Sequence, residues 1–214
     1  MQLDLKQLMV PPGNILHLKD ISWQMFETLL EELGESRAAK LSYSKGILEI
    51  MTPLLEHEFD KKIIGRLVEI LLEELNIEFV PAGSTTLKNE AMQQGVEPDE
   101  CFFIQNEAVM RGKKRIDLTI DPPPDLAIEI DITSRTHLNN YEAFGVPELW
   151  RYNGSRLQIN VLQQGKSTES EVSFNFPQIP QIKSAIPQYV EQSKISGRNA
   201  SVKAFRNWVR QQLQ

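Results

Sequence analysis

The feature that most constrains this chain is residues 121–134, Asp-Pro-Pro-Pro-Asp-Leu-Ala-Ile-Glu-Ile-Asp-Ile-Thr-Ser. Leu126, Ile128, Ile130 and Ile132 alternate, so the segment reads as a strand with one apolar face. The opposite face carries Asp125, Ala127, Glu129, Asp131 and Thr133. Carboxylates two residues apart on a strand repel. Burying them costs free energy unless a cation or hydrogen-bond donors offset the cost. Two arrangements meet that condition: a metal or acid–base centre, or an edge strand whose polar face meets water.

The chain of 214 residues is long enough for one well-cored α/β domain with terminal additions. Its single cysteine, Cys101, excludes an intramolecular disulfide and a Cys-rich zinc site. Residues 1–12 carry no signal-peptide pattern, and the apolar run 63–75 is broken by Arg66, Glu69, Glu73 and Glu74. These features predict a cytoplasmic protein with no membrane partner. A net charge of −6 argues against a generic nucleic-acid-binding surface. The bases are unevenly spread, however. Arg111, Lys113, Lys114 and Arg115 form one run, and Lys183, Lys194, Arg198, Lys203, Arg206 and Arg210 enrich the tail. Such a tail is either a DNA-facing surface or an ordinary solvated helix face, and the second reading is preferred.

Residues 21–33 read as an amphipathic helix, with Ser22 as N-cap, Gly34 as stop, and Phe26, Leu29, Leu30 and Leu33 inward. Residues 39–43 and 47–51 flank Ser44-Lys45-Gly46 and predict a β-hairpin. The longest helix spans 56–75, burying Phe59, Ile63, Leu67, Ile70, Leu71 and Leu75. Residues 77–81 and 84–88 read as a strand pair, 96–104 as one strand, and 105–117 as a basic loop. A helix over 137–144 then precedes strands at 148–152 and 157–162, joined through Asn153-Gly154. The tail predicts helices at 186–192 and 201–213, the latter with Phe205, Trp208, Val209 and Leu213 inward. The expected architecture is α/β, a mixed sheet flanked by helices, with an N-terminal helix and hairpin. Residues 1–180 form the domain, and 181–214 a helical C-terminal appendage. No G-x-G-x-x-G, P-loop or G-x-S-x-G motif is present.

Pro98-Asp99 and Glu129-Ile130-Asp131 place carboxylates on two different strands. A hard divalent cation takes oxygen ligands, so one carboxylate from each strand fixes two positions and leaves the rest to water and a phosphate. This Pro-Asp … Glu-x-Asp pattern resembles the PD-(D/E)XK nucleases, the restriction-endonuclease-like superfamily. Further stretches resemble its Uma-two family of endonucleases. They are Gly46-Ile47-Leu48-Glu49-Ile50-Met51-Thr52-Pro53 leading to His57, then Pro124 to Ile130, then Tyr141-Glu142-Ala143-Phe144-Gly145-Val146-Pro147-Glu148-Leu149-Trp150. The resemblance runs in order from about Trp23 to about Leu162.

The resemblance implies a Mg²⁺- or Mn²⁺-dependent endonuclease acting on nucleic acid, DNA in the first instance, and a homodimer. Asp99 and Glu129 would be the metal ligands, and Asp131 would modify the catalytic site. His57 and Glu58 would support it, with Asp125 as a further supporting residue or a strand-entry cap. The chain departs from the motif where the superfamily has lysine, two residues after the second acid: Asp131 stands there. The segment before Tyr141 carries no lysine either, which leaves Lys88 or Arg135 to supply the charge. A nuclease fold that has lost its chemistry and serves as a binding or assembly module is the rival expectation.

Overall fold

In a computed structural model, residues 9–34, 39–132 and 138–214 are described. Their elements run β1 (Ile15–Leu18), α1 (Trp23–Leu33), β2 (Lys40–Ser44), β3 (Ile47–Met51), α2 (Leu55–Glu74), β4 (Val80–Pro81), β5 (Leu87–Asn89), β6 (Gln94–Val96), β7 (Glu100–Phe103) and α3 (Glu107–Met110). Then follow β8 (Leu126–Ile130), α4 (Leu138–Phe144), β9 (Glu148–Tyr152), β10 (Leu157–Gln163), β11 (Lys166–Ser170), α5 (Ile182–Ser196) and α6 (Arg198–Gln212). The strands form two sheets, ordered β1-β3-β2-β6-β5 and β11-β10-β9-β8-β7-β4. The first is antiparallel throughout. In the second, β8 and β9 pair in parallel through the α4 crossover, with Glu129 opposite Arg151. Mixed α/β architecture is thus the observed class.

Local chemistry explains the N-terminal half. Ser22 caps α1 by accepting from the Met25 N–H at 3.2 Å, and Gly34 closes it at positive φ. Lys45 and Gly46 both have positive φ, which suits the two-residue turn joining β2 to β3. On β6, Gly95 lets the Phe26 ring lie against the sheet. A Cβ there would meet Phe26 Cζ at 2.6 Å. Phe26 and Tyr43 stack at 4.8 Å and anchor the small core under α1.

The large core lies between α2, the second sheet and the C-terminal helices. Ile63, Leu67, Ile70 and Leu71 of α2 join Leu126, Ile128 and Ile130 of β8. Ile182, Ile186 and Val190 of α5 and Phe205 and Val209 of α6 complete that same cluster. Phe59, expected inward, is 37% exposed, and Leu213 is exposed too. Phe59 lies on the outer side of a turn whose His57, Asp60 and Lys61 are buried, and Leu213 follows the last residue of α6.

Several sequence expectations are corrected. All five residues of β8 are buried, and it lies between β7 and β9, so it is not an edge strand. Residues 77–81 and 84–88 do not pair with each other. β4 joins β7 in one sheet and β5 joins β6 in the other. The strand expected over 96–104 is broken at Glu97-Pro98-Asp99, where the chain passes from the first sheet to the second. Strands β1 and β11 and the short α3 were not foreseen.

Candidate active site

The break at residues 97–99 sets up the site. Asp99 sits where β6 of one sheet hands over to β7 of the other, held by its N–H donating to Ile128 O at 3.0 Å. Glu129 projects from β8, one residue along from that bond. Asp99 and Glu129 are 1% and 5% exposed. Two carboxylates this deeply buried require compensation, and it comes from the first sheet. Lys40, at the start of β2, places its Nζ 2.9 Å from Asp99 Oδ1 and 2.6 Å from Glu129 Oε2.

Further donors separate the two acids. Asp99 Oδ2 accepts the Ile130 N–H at 2.7 Å, and His57 Nε2 stands 3.2 Å away. Burial pushes the Asp99 carboxyl up, but the Lys40 ammonium, His57 and the Ile130 N–H together hold it well below the usual range. Glu129 has Lys40 on one oxygen and the Tyr141 hydroxyl donating to the other. Burial, reinforced by the neighbouring Asp99, raises the Glu129 carboxyl above its ordinary value despite Lys40. Burial and then the Glu129 charge raise the Tyr141 phenol as well, so it remains a donor. Lys40 is raised: desolvation works against its charge, and the two carboxylates outweigh it.

The remaining expected residues fall as follows. His57 opens α2, is 1% exposed and faces Asp99, with Nδ1 3.5 Å from Glu58 Oε1. Asp131 lies just beyond β8 and pairs with Arg151 Nη2 at 2.5 Å, so its charge is neutralised from β9. Asp125 is not brought to this centre. Its Oδ2 accepts the backbone N–H groups of Ile104 and Gln105 at 2.7 and 3.0 Å, capping the turn after β7. Lys88 is engaged with Glu27 at 2.8 Å on the other side of the first sheet, and Arg135 lies outside the described residues.

The positive charge therefore comes from Lys40, which sequence reasoning missed. The only trace was its place on the polar side of an alternating hairpin strand, beside Ser42 and Ser44, which reads as solvent-facing.

Lys40 divides two clefts. Glu49, Glu97, Glu129 and Asp131 line one side with Ser42. Thr52, Pro53, Glu58, Lys61, Ser84 and Asp99 line the other, which has a volume of about 350 Å³.

A family model described as "Putative restriction endonuclease", Uma2, matches residues 23–193. The chain belongs to the Uma2 family. That match contains Lys40, His57, Asp99, Glu129 and Tyr141, the whole of the buried cluster. Among solved structures, a protein described as a putative nuclease belonging to DUF820 from Anabaena variabilis is similar at 15% identity. It covers 72% of this chain and 87% of its own, with a TM-score of 0.48. No curated protein matches the chain. Among the described residues of this Uma2 protein, no helix is long and apolar enough to cross a membrane.

Proposed function

We propose that this Uma2 protein is a metal-dependent endonuclease that hydrolyses phosphodiester bonds of nucleic acid, DNA in the first instance. One observation carries the reading. Asp99 Oδ1, from the junction between the sheets, and Glu129 Oε2, from β8, converge on a single point held by the Lys40 ammonium of the first sheet. That donor set fits a hard divalent cation, Mg²⁺ or Mn²⁺, bound through two protein carboxylates with water and phosphate oxygens completing the shell. Among the described residues no group of three or more His, Cys, Asp and Glu side chains is placed to hold a metal ion, so the protein would supply these two ligands alone. When bound, such an ion activates water and neutralises charge on the phosphate.

The chain's own residues do the rest. Asp99, kept ionised by Lys40, then His57 and the Ile130 N–H, is the fixed anion of the site. Tyr141 orients the Glu129 carboxylate through its hydroxyl. Lys40, on the cleft side of both acids, offers its ammonium to the phosphoryl oxygens as the water oxygen bonds to phosphorus and the P–O ester bond breaks. It takes the part assigned to the motif lysine, which Asp131 displaces in this chain.

A specific observation supports the rival reading of an inactive binding module: the Lys40 ammonium contacts both carboxylates at the point a divalent ion would take. Thermal melting with and without millimolar Mn²⁺, followed by plasmid nicking on the same samples, separates the two. The nuclease reading expects a cation-induced rise in Tm for the wild type that D99A and E129A both lose, with nicking that tracks it. An unchanged Tm in Mn²⁺, with no nicking, would assign the protein to the inactive class.

A further inference from the structure

The cleft on the His57 side of Lys40 carries chemistry that the two carboxylates do not use. Lys61 lies one turn beyond His57 on α2, about 6 Å along the axis. Its side chain is nearly buried, 11% exposed. A buried ammonium is costly without acceptors. Yet the hydrogen bond found for Lys61 is to the Ser84 hydroxyl, at 2.7 Å, and Glu58 Oε2 stands at 3.9 Å, beyond hydrogen-bond reach. Lys61, Ser84 and Lys40 line the same cleft of about 350 Å³, with Asp99 on its wall. Across Lys40 the other cleft is lined by Glu49, Glu97, Glu129 and the Arg151-paired Asp131, with no lysine but Lys40, whereas this one sets Lys40 and Lys61 against Glu58 and Asp99. A polyanion is repelled from that side and drawn to this one.

We propose that Lys61 and Ser84 form a seat for a backbone phosphate of the nucleic acid, the neighbour of the phosphate that is cut. The seat rests on the nuclease reading and deepens it, by fixing the side from which the strand enters. Lys61 supplies the charge, and Ser84 holds the ammonium in place and presents a hydroxyl donor of its own. With Lys61 one helical turn beyond His57 on α2, the seat positions the strand and takes no part in bond breaking. Binding through a phosphate carries no sequence information, so the seat contributes affinity and register only.

The test is steady-state plasmid nicking in Mn²⁺ by wild type, K61Q, K61R and S84A over a range of salt concentrations, with Mn²⁺-dependent melting of each. For K61Q the seat predicts a rise in KM of about tenfold, kcat within about twofold of wild type, and a salt slope smaller by about one. K61R should remain near wild type in KM and slope, and S84A should raise KM by about two- to threefold. The Mn²⁺-induced Tm rise should persist in all three. An unchanged KM and salt slope in K61Q, with the wild type nicking, overturns the seat while the nuclease reading stands. A fall in kcat at constant KM overturns it as well, by placing Lys61 in the chemistry. If K61Q does not fold, S84A decides, and an unchanged KM there is the overturning result. A wild type that shows neither a Tm rise nor nicking overturns the nuclease reading and the seat with it.

Discussion

Lys40 is the residue on which the buried cluster turns, because its ammonium makes two buried carboxylates tolerable. Removing one partner of such a group leaves the others uncompensated. K40M should therefore lower stability in the absence of metal by about 3–5 kcal/mol. The same variant should show a larger Mn²⁺-induced Tm rise than wild type, because the ion no longer displaces an ammonium. Nicking by K40M should fall by about 10²–10³ in kcat, the usual cost of losing one preorganised donor to the phosphoryl oxygens. Melting curves with and without Mn²⁺ and initial nicking rates check both halves. A K40M protein that cuts like wild type would remove Lys40 from the mechanism. Asp99 and Glu129 stand out in the sequence as acids after proline and on an apolar strand, His57 enters only through the family resemblance, and the structure brings the three together. Lys40 does not stand out, since a lysine on a half-polar hairpin strand has an ordinary explanation. Its partners lie 59 and 89 residues away, and only the pairing of sheets brings them near.

At the scale of elements, the basic tail has a use inside the molecule. Arg206 reaches Glu73 and Glu74 of α2 at 2.5 Å each, Arg210 reaches Glu74 at 2.7 Å, and Lys194 reaches Asp60 at 2.9 Å. These three bases clamp α5 and α6 to the long helix, so half of the tail's six bases are engaged with that helix. Burial works against the Glu73 charge, but Arg206 and Arg66 outweigh it and lower its pKa. Arg210 leads in lowering Glu74, which burial opposes and Arg206 reinforces. Because both folded values lie below the ordinary 4.5, the stabilisation is present above that pH and is lost as pH falls through the folded values. R206A should cost about 1 kcal/mol or less near neutral pH, as these pairs are largely solvated. The difference from wild type should vanish in acid and shrink in high salt. Melting both proteins across the acid range tests this. A gap that grew on acidification would reverse the assignment. The extent of these helices was harder to read. The sequence predicts the first tail helix over 186–192, yet α5 runs Ile182–Ser196 with Pro187 inside it, and Ile182, Ala185, Ile186 and Val190 are all buried along it.

For the whole molecule, the order of strong elements was legible: α1, the β2–β3 hairpin, α2, β8 and the β9–β10 hairpin fall close to where periodicity and turn residues put them. What was not legible is how the chain divides between two sheets. β4, β5 and β6 have only two or three residues each, too few for an alternation to emerge, and their partners are set by distant packing. The tail likewise lends Ile182, Ile186, Val190, Phe205 and Val209 to the main core. Ending the chain after Pro180 would leave the α2 surface that they cover facing water. Such a truncation should lose cooperative melting altogether, which calorimetry would register as a missing transition. A truncated protein that still melted sharply would make the tail a dispensable addition.

The handover of the chain between sheets at Glu97-Pro98-Asp99 has a last consequence. Lys40 belongs to one sheet and Glu129 to the other, and Asp99 is the seam residue that meets both. The cluster behaves as a latch whose hook and eye are made in separate parts of the chain. A nascent or partly unravelled copy can have either half, but not a closed latch. On the nuclease reading proposed above, cutting would require the chain to be folded through β8, since neither half of the cluster is complete without the other.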